Sequence, residues 1–466
     1  MLSVMETLDA ISPIDGRYRG QVEPLAEFFS ERALIKYRTM VECAYLIALS
    51  ETSGTGLRRF TEEEKLRIRS VGAISAADAA IVKDIEVGGH DGMRPTNHDL
   101  KAIEYYIKEK LGGTSLSDSL EWVHFALTSD DTKNIAHSMM MSDSLEKVLI
   151  PAAKALYERL DELALLYRNV AILARTHGQP ASPTTFGKEF RVFASRVKRQ
   201  VDQLESTELL VKLNGATGNY NAHQAACPDV DWVAFTRQFV ETLNSGRRVR
   251  LAPNLVTTQI EPHDSYAELF DNIHRLNTVV IGLAQDAWRY ISDDWLVQKP
   301  VAGEVGSSTM PHKVNPIDFE NCEGNLGIAN ALLHHFSSKL PISRLQRDLS
   351  DATVLRNIGV ALGHCVIAYN SAVKGLGKVS VNEAKVAEAL RNHPEVVSEA
   401  IQTILRREGV EMPYEKLREV TRGKRVTMQD LSRFVDGLQV SEELKARLKR
   451  LTPESYIGLA STLAGN

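Results

Sequence analysis

The chain has 466 residues, 43% of them hydrophobic and 25% charged, with a formal charge of −5. This is the make-up of a globular protein too long for one ordinary core. The mildly acidic balance excludes the broad basic face of a nucleic-acid binder, so an anionic ligand would need a local cluster of Arg, Lys and His.

Cys43, Cys227, Cys322 and Cys365 are far apart, without a CxxC pair. They read as thiols in a reducing compartment, not as a disulfide framework or a zinc site. The opening "MLSVMETLDAISPIDGRYRG" lacks the apolar core of a leader. No run approaches the ~18 apolar residues of a membrane span. The expected location is the cytoplasm, with neither membrane nor nucleic acid as partner.

In chain order, polar interruptions alternate with helical periods. "SPIDGRY" (12–18) and "GGHDGMRPTNHD" (88–99) come first. Thr96 or Asn97 is a candidate cap for a helix with Leu100, Ile103 and Ile107 on one face. His98 and Asp99 fall in its first turn, where backbone N–H groups and an imidazole suit an anion. Capping alone also accounts for Asn97 and Asp99. In "ALTSDDTKN" (126–134), Thr128 and Ser129 are either anion-binding hydroxyls or a plain cap. Pro151 suits the start of a helix bearing Leu156, Leu160, Leu163 and Tyr167.

In "ARTHGQPASPTTFGK" (174–188), Pro180 restricts Gln179 to an extended conformation. His177 then sits on a shaped loop, the side chain best placed to exchange a proton near neutral pH. A helical seam follows at Phe190, Phe193, Val197, Val201 and Leu204. After "LNGATGNYNAH" (213–223) and "TTQIEPHD" (257–264), a longer one runs through Leu269, Ile273, Leu276, Val280, Leu283 and Ala287.

"GEVGSSTMPHKVNP" (303–316) has no hydrophobic period. A nucleophilic serine there lacks an elbow and a nearby base. A serine base is conceivable if loop N–H groups and Lys313 stabilise the alkoxide. In "SRLQRDLSDATVLRN" (343–357), Arg347 and Arg356 are about half a turn out of phase on an ideal helix. They share a pocket only if the segment is irregular. The charged stretch 414–425 reads as solvated helix face and loop. Phosphate-cradle, dinucleotide, HExxH, EF-hand and GxSxG motifs are absent.

These periods predict an all-α protein of long, near-parallel or antiparallel helices, with polar loops meeting at their ends. Three helical domains are expected, at 1–117, 118–372 and 373–466, the middle one a long-helix bundle. Seams of this length call for neighbours, and a homo-oligomer is the expected solution.

"GSSTMPHKVNP" resembles the signature loop of the fumarate-releasing lyase superfamily, usually written GSSxMPxKxNP. With "SPIDGRY", "TNHD", "RTHGQPA", "NGATGNYNAH", "TTQIEPHD" and "RDLSDATVLRN", nearly the whole chain is similar to the adenylosuccinate lyases of bacterial purine biosynthesis. The resemblance implies a homotetramer, with each site built from loops of three subunits. It also implies a β-elimination that needs no metal or organic cofactor. Adenylosuccinate would yield AMP and fumarate, and the succinylated aminoimidazole carboxamide ribotide (SAICAR) would likewise release fumarate.

Carried onto this chain, His177 is the implied general acid and Ser307 the general base, with Ser308 the alternative. Lys313, Asn315, Thr128 and Ser129 are implied to hold the succinyl carboxylates. Arg17, Tyr18, His98, Arg347 and Arg356 address phosphate and nucleotide, and Asn97, Asp99 and Gln259 complete the pocket. The chain departs from the family pattern at Ala352, where a serine is common, so Thr353 is expected to substitute. "TSDDTKN" replaces the commoner "TSEDINN", and "VGGHDGM" resembles an insertion. The rival expectations are an argininosuccinate lyase or aspartase of the same superfamily, or a helical scaffold without activity.

Overall fold

The structure, a computed structural model, describes residues 7–300, 309–310, 312–423 and 426–465. Its long helices are α1 (Glu31–Glu51), α2 (Asp99–Leu111), α3 (Ser129–Ser144), α4 (Ile150–Leu166), α5 (Phe186–Glu205), α6 (Asp264–Ser292), α7 (Ile317–Lys339) and α8 (Ile358–Lys378). Among the described residues, strand is confined to four two-stranded pairs, none longer than four residues. The fold is all-α, as the helical period predicts.

The seams are where the sequence places them. Leu269, Ile273, Leu276, Val280, Leu283 and Ala287 of α6 are all buried, as are Phe190, Val197, Val201 and Leu204 of α5. Pro151 is the second residue of α4, but α4 is no fresh start. A π turn at Leu145–Leu149 joins it to α3. Proline has no N–H to give the preceding turn, and a wider turn is one way for a helical path to pass it. Residues 350–378 are more apolar than expected and pass the length and hydropathy test for a membrane span. Yet 67% of that window is buried within the protein. His364, in α8, pairs there with Asn325 at 2.8 Å.

The chain forms two compact units, each assembled from three stretches. One comprises Met1–Ala153, Gln200–Thr278 and Gly324–Ala368. The other comprises Lys154–Arg199, Val279–Glu323 and Tyr369–Asn466. In the first, α3 is buried along its length apart from Ser129 and Asp143. It carries charge into the interior: Lys212 Nζ donates to Asp131 Oδ1 at 2.7 Å, and both side chains are fully buried. Asp131 Oδ1 also accepts from Asn214 N (3.0 Å), and Lys212 Nζ donates to Gly215 O (2.9 Å). The "LNGATG" loop is thereby clamped onto α3 by a satisfied polar network.

In the second unit, Ile401, Leu405, Leu417, Leu431 and Leu448 share an apolar cluster near the C-terminus. The helix Met428–Asp436 starts on a capping box, in which Thr427 N donates to Asp430 Oδ2 (2.9 Å) and Asp430 N to Thr427 Oγ1 (3.2 Å).

Candidate active site

A cavity of about 560 Å³ opens in the first unit, within the usual range for small-molecule sites. Seven of the substrate-binding candidates line it: Asn97, His98, Asp99, Ser129, Gln259, Arg347 and Arg356.

Local structure explains each placement. Thr96 N and Asn97 N donate to Ile85 O (3.0 Å) and Glu86 O (2.9 Å), pinning this segment to the preceding turn. Asn97 takes a left-handed conformation (φ 50°), which asparagine tolerates better than most residues. Neither Thr96 nor Asn97 caps α2. The cap is His98, in extended backbone, whose Nδ1 accepts from Lys101 N at 3.2 Å. With Nδ1 as acceptor, the neutral ring carries its proton on Nε2. Asp99 receives Arg38 Nη1 (2.6 Å) and Leu100 N (2.8 Å), and Arg356 Nη2 lies 3.8 Å away. Burial alone would lift the Asp99 pKa, but Arg38 and the Leu100 N–H outweigh it and hold it below the ordinary value.

Arg347 and Arg356 do meet, because the chain between them is not one helix. Leu345 is left-handed (φ 52°), and the helix Ser350–Leu355 has only six residues. Arg347 Nη1 donates to Gln259 Oε1 (3.2 Å), a neutral partner, and Gln259 N donates to Gln346 O (3.2 Å).

Lys133, which lines the cavity, is one of a set of buried titratable groups. Lys133 Nζ is 2.6 Å from Asp351 Oδ2. Burial raises the Asp130 pKa against the pull of Lys133. Burial also pushes Glu261 up to about 7, although Asn254 and the His263 N–H stabilise its charged form. His263 is pushed down to about 4 by burial.

The remaining candidates lie elsewhere. Thr128 caps α3, its N–H donating to Asp131 Oδ2 (2.8 Å). Arg17, Tyr18 and Thr353 belong to the first unit but do not line this cavity; Ala352 does. In the second unit, His177 sits at the tip of a hairpin in which Arg175–Thr176 pairs with Gln179–Pro180. Its ring is exposed. Lys313 is exposed, its N–H donating to Met310 O (3.1 Å), and Asn315 is half-buried. Ser307 and Ser308 lie outside the described residues.

Sequence reasoning missed Arg38 and Lys133, which also line the cavity. A signal for Arg38 existed. It falls in the stripe Leu34, Val41, Tyr45 and Leu49, where the helical period calls for an apolar residue.

Residues 16–329 match the model of the Lyase family, and residues 343–457 that of the adenylosuccinate lyase C-terminal domain. The adenylosuccinate lyases of Haemophilus influenzae and Escherichia coli K12 are each 48% identical over 462 residues, covering 98% of both chains. The chain belongs to the adenylosuccinate lyase family. The Dictyostelium discoideum member is 49% identical over 468 residues, 98% of this chain and 97% of its own. The fold extends further than this family. A fumarate lyase from Mesorhizobium sp. BNC1 superposes with a TM-score of 0.73 at 18% identity, covering 95% of this chain and 96% of its own. A 3-carboxy-cis,cis-muconate lactonizing enzyme from Pseudomonas putida does so at 0.70 and 19%, covering 95% of each.

Proposed function

We propose that this lyase cleaves adenylosuccinate to AMP and fumarate, and SAICAR to its carboxamide ribotide and fumarate. The observation that carries it is the cavity where His98, Ser129, Gln259, Arg347 and Arg356 converge, in a chain 48% identical to adenylosuccinate lyases. Argininosuccinate and aspartate carry no phosphate, so an enzyme for either has less use for this concentration of cations.

The chemistry suits the residues. A base takes a weakly acidic proton beside a carboxylate, and charge spreads onto that carboxylate as an aci-carboxylate. Donors must already wait there. The departing nitrogen needs a proton, which an imidazolium supplies. We assign His177 as this acid and Ser307 as the base. Lys313, Asn315, Thr128 and Ser129 hold the succinyl end. Arg17, Tyr18, His98, Arg347, Thr353 and Arg356 address phosphate and nucleotide, with Asn97, Asp99 and Gln259 completing the pocket.

A homotetramer with sites shared between subunits is part of this reading. The exposed Ile317, Gly324, Gly327 and Ile328 of α7 support it, since an apolar and small-residue face on a long helix suits a neighbouring helix. Separate apolar clusters at 35–123 and 397–448 support the three-part division of the chain. The cytoplasmic assignment rests on four buried cysteines, none in a disulfide.

Incubation with adenylosuccinate, followed by assay of AMP and fumarate, tests the activity. Turnover of argininosuccinate or aspartate instead sinks it. Mixing His177→Ala with Arg347→Met protein, assayed at substrate far below the raised KM so that each is strongly impaired alone, is expected to restore activity through hybrid sites. No recovery in verified hybrid tetramers counts against sharing.

A further inference from the structure

The cavity floor holds a cation that no role above uses. Lys133 lies one helical turn after Ser129 on α3, so the two project from the same face, and both line the cavity. The Lys133 ammonium is 2.6 Å from Asp351 Oδ2 and 4.0 Å from Asp130 Oδ1, the latter beyond hydrogen-bond reach. An ammonium has three donors, and Asp351 is its one hydrogen-bond acceptor among the described residues. Asp351 Oδ1 and Asp130 Oδ2 are buried without a partner, but neither residue lines the cavity. The cavity therefore presents the lysine to a ligand, with Asp351 bonded behind it.

The residue after the lysine's carboxylate partner offers no side-chain donor. Asp351 is followed by Ala352, which lines the cavity and has no hydroxyl. Arg38 is already engaged by Asp99.

We propose that Lys133 is a substrate-binding residue that donates to an anionic oxygen of the ligand, supplying a contact that Ala352 cannot. The proposal rests on the lyase reading above. That reading offers two sources for the oxygen, the phosphate and a succinyl carboxylate, and the pairing of Lys133 with Asp351, the residue before Ala352 in the arginine-bearing segment, favours the phosphate. Asp351 is the positioning residue that aims the ammonium.

The test compares the full-length wild type with Lys133→Met and with the double variant Lys133→Met/Asp351→Asn. The double variant also removes the charge of the carboxylate that Lys133 bonds, and keeps the test valid if the single one fails to fold, which thermal unfolding reports. AMP and fumarate are titrated separately by calorimetry. The expected result is a Kd for AMP raised about ten-fold or more, the size of a lost hydrogen bond to a charged group. Fumarate affinity stays unchanged, and KM for adenylosuccinate rises more than kcat falls. A selective loss of fumarate affinity instead supports Lys133 as an anion ligand and moves its target to the carboxylate. Unchanged affinity for both in a folded variant overturns the role given to Lys133. A wild type that binds neither product overturns the reading of function itself.

Discussion

His177 and Gly178 both have positive φ, 53° and 74°, in a two-residue hairpin loop. Such a loop favours Asn-Gly, and a histidine there is strained by about 1–2 kcal/mol. An exposed ring gains no packing in return, so the strain points to chemistry. This makes His177→Asn a cleaner test than alanine, because asparagine suits the turn but cannot donate as an imidazolium does. The variant is expected to melt no lower than the parent while kcat drops about 10²–10⁴-fold, the usual worth of a general acid. A full rate in a stable His177→Asn protein moves the acid elsewhere. Arg347 allows a second substitution. Its one hydrogen-bond partner among the described residues is the neutral Gln259, so Arg347→Met breaks no hydrogen-bonded ion pair. Its KM is expected to rise roughly 10–100-fold, as for a lost charged hydrogen bond to ligand, with little change in thermal midpoint. A normal KM removes Arg347 from the site.

At the scale of elements, what was legible depended on whether one period governed the segment. The seam of α6 was legible because burial on one face repeats every 3.5 residues or so, and the face Leu100–Ile103–Ile107 of α2 was legible for the same reason. The cap of α2 was not. Thr96 and Asn97 have better intrinsic preference, but tertiary bonds to the turn at 84–88 occupy their backbone, leaving histidine as cap. The π turn before Pro151 was hidden because a proline equally suits a helix start, and the break around Leu345 because it is tied to Gln259, distant in sequence. That break decides whether Arg347 and Arg356 meet. Seven of the candidate residues drawn from polar motifs line one cavity, whereas Arg38 was masked within a long helix and Lys133 within a motif read only for its capping hydroxyls. The clamp between α3 and the "LNGATG" loop is likewise a tertiary feature, with a measurable cost. Lys212→Met leaves the fully buried Asp131 without its cation. It is expected to destabilise the fold by about 3–5 kcal/mol, read as a lowered urea midpoint. A shift below about 1 kcal/mol, the worth of a surface pair, shows that Asn214 and Gly215 suffice to hold that carboxylate.

At the scale of the whole molecule, buried histidines set the acid limb of stability. His223 and His263 are each pushed down to about 4 by burial, and His137 is also lowered by burial. All three are neutral when folded and gain a proton more readily when unfolded. The unfolded chain therefore binds more protons between the ordinary value near 6.5 and the folded value, so their contribution is present above 6.5 and is lost as pH falls through that window. Glu261, raised to about 7 by burial, works in the opposite sense. The folded state holds its proton more tightly, so its contribution is present below about 4.5 and is lost as pH rises through about 7. His124 also opposes the trend. Burial would lower it, but Glu42 at 2.7 Å raises it overall, so its contribution is full below about 6.5 and fades as pH climbs through the raised value. Single substitutions separate these opposing terms. His223 packs its ring against Trp232 and Tyr220 and makes one side-chain hydrogen bond among the described residues, a long one of 3.3 Å with Tyr45 Oη. His223→Phe preserves most of that packing and removes the titration. The difference in unfolding free energy between parent and variant is expected to change by about 3 kcal/mol from pH 7 to pH 4, with the variant losing less as the solution is acidified. Parallel urea transitions across that range measure it directly. Two curves that stay parallel down to pH 4 show that this imidazole reaches water in the folded state, and the acid limb then belongs to His137 and His263.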